Sequence, residues 1–280
     1  MPLAVKLVGM EHPAYSQLRP VTPSAAVVLS PNPSYASLEG TNSWVIRAEG
    51  DPRSIVIDPG PEDEGHLNVL NSKASEVALI LITHRHHDHA DSTGRFRQLT
   101  GAPVRAFDKT YCREGDPLED REIISLEGVT PQIEVRHTPG HTSDSACFFI
   151  WSGVPHESTL EGIVTGDTIA GRHTTMISET DGDLGLYLDT LHMLEKDGDG
   201  IHMLPAHGPD LPDTAQMARK YIDRREQRLE QVREVRARLG KDIPLKTLVD
   251  EIYTDVDPVL RGAAEQSTRV TLRYLESNGE

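Results

Sequence analysis

The chain has only two cysteines, Cys112 and Cys147, in 280 residues. That number cannot build a disulfide framework, and neither lies in a CxxC pair, so both read as ordinary thiols of a cytoplasmic protein. No apolar run approaches the 18 or more residues of a membrane-spanning helix, which excludes a bilayer-crossing segment of that kind. The opening Met1–Met10 stretch carries one Lys and a short apolar run, then gives way to Glu11-His12-Pro13, a poor secretory leader. Internal repeats and low-complexity tracts are lacking, as is any pattern for a Ser-His-Asp or Cys-His nucleophile. Positive charge is scarce and unevenly placed. After Asp213 there are 13 Lys/Arg against 12 Asp/Glu, which leaves 15 against 32 before it, within a formal net charge of −16. So acidic a body does not attract polyanions at long range.

What is present is a short, dense cluster. Residues 83–89 read Thr-His-Arg-His-His-Asp-His, directly after the apolar run Val77–Ile82. The spacing predicts that His84, His86, Asp88 and His89 leave a buried strand and enter a loop. Neutral imidazoles and a carboxylate suit zinc and other divalent transition metals. His84 and His86, two apart, can reach one ion from an extended loop, while Asp88 and His89 fall on the other side and can hold a second. An internal cluster after a strand is not an affinity tag, which would be terminal and uniform.

Short apolar runs bounded by Gly and Pro predict strands at Ala25–Ser30, Asn42–Ala48, Ser54–Asp58, Val77–Thr83, Val104–Phe107, Gln132–His137, Ser145–Trp151, Gly162–Thr165 and His202–Pro205. Helical patterns fall at Glu64–Ser72, Ser92–Thr100 and Leu184–Lys196. The fold class is therefore α/β, a sandwich with helices covering the sheets. After Pro212 the character changes. Three helical patterns, Asp213–Leu239, Leu245–Tyr253 and Pro258–Glu276, predict a small helix-turn-helix or winged-helix-like appendage. The expected division is 1–212 for the metal-bearing domain and 213–280 for the appendage.

Three further segments end an apolar strand in a polar residue at a turn. They carry His141 in Thr138-Pro139-Gly140-His141-Thr142, Asp167 after Val164-Thr165-Gly166, and His207 in Pro205-Ala206-His207-Gly208. The series HxHxDH, His141, Asp167, His207 resembles the metallo-β-lactamase superfamily over nearly the whole chain. Within it, the chain is most similar to the β-lactamase-like-protein-2 group. The shared features are Asn32-Pro33 before Leu38–Trp44, Ile57-Asp58-Pro59-Gly60, the 138–142 motif, Thr174-Thr175 and Asp223–Arg228. The resemblance implies an αββα sandwich with a C-terminal helical, winged-helix-like domain. It implies that His84, His86 and His141 bind a first ion, that Asp88, His89 and His207 bind a second, and that Asp167 bridges. Zinc, manganese(II) and iron(II) all fit the donor set, as one ion or two per chain.

Two departures narrow the function. Position 167 is not Cys, which argues against antibiotic hydrolysis, and position 86 is not Glu, which argues against the flavodiiron branch. Arg85, His87 and His173 stand where other residue types are usual; His87 is expected to face solvent and His173 to be a surface residue or a substrate contact. The remaining histidines, 12, 66, 137, 156, 192 and 202, are expected to be structural or exposed, with His137 and His202 as candidates to support the ligands.

Such a centre predicts hydrolysis by a metal-bound hydroxide, with Asp88 as the catalytic residue that orients the nucleophile and passes a proton to the leaving group. The expected substrate is a phosphodiester of the single-stranded RNA type. It rests on the resemblance and on eight Lys/Arg against four Asp/Glu between Arg219 and Arg238. A solvated helix face accounts equally for that stretch. The alternatives are a thioester hydrolase of glyoxalase II type and a non-catalytic binding protein with a structural metal. Expected partners are a small-molecule ester or a single-stranded nucleic acid, with no membrane.

Overall fold

A computed structural model describes residues 12 and 14–280. The expectation about a leader concerns Met1–Met10, which lie outside the described residues. Six strands form the first sheet in the order β1 (Leu18–Pro20), β2 (Ala25–Leu29), β3 (Asn42–Ile46), β4 (Arg53–Ile57), β5 (Glu76–Leu81) and β6 (Val104–Arg105). Five form the second, in the order β11 (His202–Pro205), β10 (Leu160–Gly166), β9 (Ala146–Trp151), β8 (Val129–His137) and β7 (Ile123–Leu126). β4 to β6 run parallel, as do β10 and β11; the other pairs are antiparallel.

The sheets stack face to face. Trp44, Ile46, Ile55, Ile57 and Leu81 from the first meet Ile133, Val135, Phe148, Ile150, Val164 and Leu204 from the second. The alternate residues of the same strands face outward. Val45, Val56 and Ile80 pack under α1 (Glu64–Lys73) and α3 (Thr93–Thr100) with Leu67, Leu70 and Phe96. Phe149, Ile163 and Met203 pack under α4 (Leu184–Asp197) with Tyr187, Leu191 and Leu194. Burial on both faces explains why these strands read as continuous apolar runs rather than as alternation. The layers are helix, sheet, sheet, helix, as the resemblance implied.

Both helix-bearing faces are set by local signals. Asp63, Asp183 and Asp213 accept a backbone N–H two or three residues into α1, α4 and α5 (Thr214–Leu239), satisfying donors that the first turn leaves free. α5 lays Tyr221, Ile222, Leu229 and Val232 into the same core as α4, and α6 (Leu245–Ile252) and α7 (Arg261–Ser277) add Leu248, Val270 and Leu275. Each such side chain contributes about 1.5–3 kcal/mol when fully buried. No strand follows β11, so the C-terminal segment is helical throughout. Among the described residues, no helix is long and apolar enough to cross a membrane.

One local expectation needs correction. The 83–89 peptide is not loop throughout: His86 is extended, and His87–Ala90 form a single helical turn, α2. That turn is what carries Asp88 and His89 away from His84 and His86.

Candidate metal centre

The two sheets are stitched together at the end where β4, β5, β8, β10 and β11 terminate. Asn42 N–H donates to Ala206 O at 2.8 Å, Asn42 Nδ2 to Pro205 O at 3.0 Å, and Ala146 N–H to Thr83 O at 2.8 Å. Five chain segments therefore emerge side by side. β10 ends at Gly166, with φ of +51°, where a Cβ would lie 2.8 Å from Thr83 Cβ. Only glycine allows this turn, which aims Asp167 into the gap.

All seven predicted residues meet there. His84, His86, His141 and Asp167 form one group, and Asp88, His89 and His207 another. In the first, His86 Nδ1 lies 2.9 Å from His84 Nε2 and 3.0 Å from His141 Nε2. Asp167 Oδ2 is 4.0 Å from His84 Nε2 and 3.8 Å from His141 Nε2. In the second, His207 Nε2 is 3.2 Å from Asp88 Oδ2, and His89 Nε2 is 3.6 Å from Asp88 Oδ1. The other oxygen of Asp167, Oδ1, lies 3.2 Å from His207 Nε2 and 3.8 Å from His89 Nε2. One carboxylate thus presents one oxygen to each group.

The outer nitrogens fix the tautomers. His141 Nδ1 donates to Met176 O, His207 Nδ1 to Gly40 O at 3.2 Å, and His89 Nδ1 to Asp58 Oδ2 at 2.8 Å. Thr83 Oγ1 donates its proton to Asp58 at 2.6 Å, so it accepts from His84 Nδ1 at 3.1 Å. The inner nitrogens of His84 and His141 are then left with lone pairs. His86 Nδ1 lies 2.9–3.0 Å from the unprotonated inner nitrogens of His84 and His141, so three nitrogens converge as the ligands of one cation would. His89 Nε2 is buried without any hydrogen-bond partner, and so is Asp167 Oδ1 by hydrogen-bond geometry. This donor set fits divalent cations in both groups.

The electrostatics divide along the same line. Burial pushes His84 well below its usual value, helped by His89 and His141; it also lowers His141, and it takes His86 down to about 4. All three are held neutral, the form in which an imidazole can bind a metal. Burial opposes charge on His89 and His207 too, but the carboxylates Asp88, Asp58 and Asp167 outweigh it. Asp88, Asp58 and Asp167 raise His89 to about 9, and Asp167 with Asp88 raises His207 well above the usual range. In turn these imidazoles hold Asp88 and Asp167 below the usual carboxylate range. Protons stand in the second group where a cation would displace them.

Asp58 is the residue that sequence reasoning missed. It is buried, with φ of +51°, and it accepts from Thr83 N, Thr83 Oγ1 and His89 Nδ1. The available signal was an Asp at a strand end before Pro59-Gly60, noted only as part of a shared motif. Arg85 pairs with Asp181, which Ser143 N–H, Ser143 Oγ and Ser178 Oγ also contact. These bonds outweigh partial burial and take the Asp181 carboxyl down to about 2. His87 faces solvent, 3.1 Å from Asp91, and His173 is exposed, with φ of +66°. His137 stacks on Phe107 and bonds Ser143 O, while His66 is buried against Ser43. Neither touches the seven residues.

Comparison with known proteins agrees with this geometry. A family model described as Metallo-beta-lactamase superfamily matches residues 36–207. An Aspergillus fumigatus protein named atrochrysone carboxyl ACP thioesterase is 28% identical over 76% of the chain, which spans 64% of that relative's length. The beta-lactamase-like protein 2 homolog of Drosophila melanogaster is 28% identical over 96% of the chain and 92% of its own. A beta-lactamase domain protein from Burkholderia ambifaria superimposes with a TM-score of 0.78 at 18% identity, covering 98% of this chain and 92% of that one. The chain belongs to the metallo-beta-lactamase superfamily of metal-dependent hydrolases.

Proposed function

We propose that the protein hydrolyses a small acyl thioester at a paired metal centre made by the seven residues. The observation that carries the choice of substrate is the state of the basic stretch of α5. A polyanionic phosphodiester substrate favours free cationic surface, and each of the eight Lys/Arg between Arg219 and Arg238 already has a partner, a carboxylate for three of them and a neutral group for the other five. Arg219 pairs with Glu195, Arg233 with Glu280 and Glu230, and Arg238 with Glu251. Arg224 and Arg225 donate to the carbonyls of His173 and Thr175, and Arg236 to Glu280 O. Lys220 bonds Gln216, and Arg228 lies over the Tyr253 ring at 3.9 Å. With the body acidic as well, the basic stretch gives the phosphodiester reading less support, and the thioesterase named among the relatives favours the acyl one.

Divalent cations held by the two groups would lower the pKa of a water molecule and polarise the acyl carbonyl. The chain's own residues do the rest. Asp167 sets the two positions relative to one another. Asp88, 32% exposed against 18% for Asp167, is the carboxylate that meets solvent. It takes the proton of the attacking water and delivers it to sulfur. The water oxygen bonds the acyl carbon, the carbon–sulfur bond breaks, and sulfur leaves with the electron pair and the proton. The products are a carboxylic acid and a thiol.

We further propose residues 213–280 as a helical appendage to a body ending at 212. A cytoplasmic location fits the two free thiols, of which Cys147 is buried and raised to about 11 by that burial. The test of function is a panel of substrates on metal-loaded protein: an acyl-pantetheine, an acyl-glutathione, bis-p-nitrophenyl phosphate and an RNA oligomer. The expected result is turnover of the thioesters at least tenfold above the phosphodiesters. Faster cleavage of either phosphodiester overturns the proposal.

A further inference from the structure

The segment 171–183, between β10 and α4, contains neither a strand nor a helix of its own, yet its carbonyls are systematically held. At its centre lie Thr175, Met176 and Ile177. The middle carbonyl, Met176 O, accepts from His141 Nδ1. The two flanking carbonyls accept from the C-terminal helices. Arg225 of α5 donates to Thr175 O, and Gln266 of α7 donates from Nε2 to Ile177 O at 2.8 Å. Arg224 and Arg273 repeat the arrangement farther out, on His173 O and Glu179 O.

The same segment closes on the His141 loop. Ser178 N–H donates to His141 O at 2.9 Å, and Asp183 N–H to Gly140 O at 3.0 Å. Arg225 also lies over the Tyr187 ring at 5.1 Å, and a Cβ on Gly140 would meet Tyr187 Cα at 2.4 Å. The orientation of the His141 ring therefore depends on a carbonyl whose two neighbours are fixed from helices more than 40 residues away in sequence. Hydrogen bonds to the outer nitrogen of a ligating imidazole set its tautomer, its direction and its basicity.

We propose that Arg225 and Gln266 are positioning residues for His141, so that α5 and α7 tune the affinity of the metal position that His84, His86 and His141 share. The C-terminal helices are then part of the metal centre's support. The inference rests on the reading of the seven residues as a metal centre. It does not depend on which substrate is cleaved.

The test uses the whole chain with Zn2+ or Co2+ as the only ligand. Zn2+ affinity is measured by competition with a chromophoric chelator, and the visible spectrum of the Co2+-loaded protein reports ligand geometry. The variants are Gln266→Glu, which sets an acceptor against Ile177 O, Arg225→Met, which removes the donor, and Arg225→Lys, which retains one. Leu275→Ala is the control, since it loosens the same core while leaving every hydrogen bond to the 171–183 carbonyls in place. Gln266→Glu and Arg225→Met are expected to weaken one of two binding steps about 10- to 100-fold and to shift the Co2+ bands, with partial recovery in Arg225→Lys. Leu275→Ala is expected to lower the melting temperature with both steps intact. Unchanged affinity and spectrum in Gln266→Glu and Arg225→Met overturn the inference, as does an equal loss of affinity in Leu275→Ala. Wild-type protein that takes up no metal overturns the metal-centre reading itself, and this inference with it.

Discussion

His89 donates from Nδ1 to Asp58 Oδ2 at 2.8 Å, while its Nε2, across the ring, faces Asp88 and Asp167 without a hydrogen-bond partner. The pair orients one imidazole toward the second position from behind. Asp58→Asn keeps the shape, and Asn tolerates the left-handed backbone at this position. The amide cannot accept from Thr83 and His89 as the carboxylate does. Elemental analysis and chelator competition should show the second position weakened about 10- to 100-fold with the first retained. Two unaltered binding steps would remove Asp58 from the account.

Asp88→Asn should cost turnover more than it costs metal. Three imidazoles and Asp167 remain for the first position, while the proton carrier is gone. General acid–base groups contribute about 100- to 10,000-fold, and kcat should fall within that range at full occupancy of the first position. Activity within a few-fold of wild type would show that Asp88 does not carry the proton.

Gly140→Ala tests how closely the His141 loop packs on α4. Gly140 has φ of +142°, and the added Cβ would sit 2.4 Å from Tyr187 Cα. Backbone cannot yield as a flexible side chain can, so the variant should lose roughly 3 kcal/mol in urea denaturation. A loss below about 1 kcal/mol would mean that the loop can lift off the helix.

His66 makes stability depend on pH. It is buried, and that burial lowers its pKa to about 4, against 6.5 in an open chain. Between those values the unfolded chain binds a proton that the folded one refuses. Stability is therefore complete above pH 6.5 and declines as pH falls toward 4. From pH 7 to pH 5, metal-free wild type should lose roughly 2 kcal/mol more than His66→Gln in urea denaturation. Parallel losses in the two proteins would show that His66 is not held neutral.

Much of this was legible in the sequence, for identifiable reasons. All nine expected strands form: most are buried on two faces and read as apolar runs, while β8 reads as alternation, with Ile133 and Val135 between Gln132, Glu134 and Arg136. β1 and β7 were not read: both are short edge strands, and β1 includes Pro20. The seven residues were legible because each is a metal-ligand type at the end of such a run. α2 was not, since four residues leave no helical period to detect. Nor was the support of the site. Asp58 acts through contacts that fold brings together, and Gly40 O, Met176 O and Ile177 O are backbone acceptors, which leave no trace in residue type. The basic stretch of α5 was legible only in part. Its charges are visible in sequence, but the carboxylates and carbonyls that occupy them come from Glu195, Glu251, Glu280 and the 171–183 segment.

The central claim is that Asp167 stands between two metal positions. Anomalous diffraction at the zinc edge, from crystals of the metal-loaded protein, tests it most directly. The account predicts two peaks about 3.5–4 Å apart, one beside His84, His86 and His141, the other beside Asp88, His89 and His207, with one oxygen of Asp167 toward each. Loaded crystals with no peak among these seven residues, or with a single peak and Asp167 turned away from it, would contradict it.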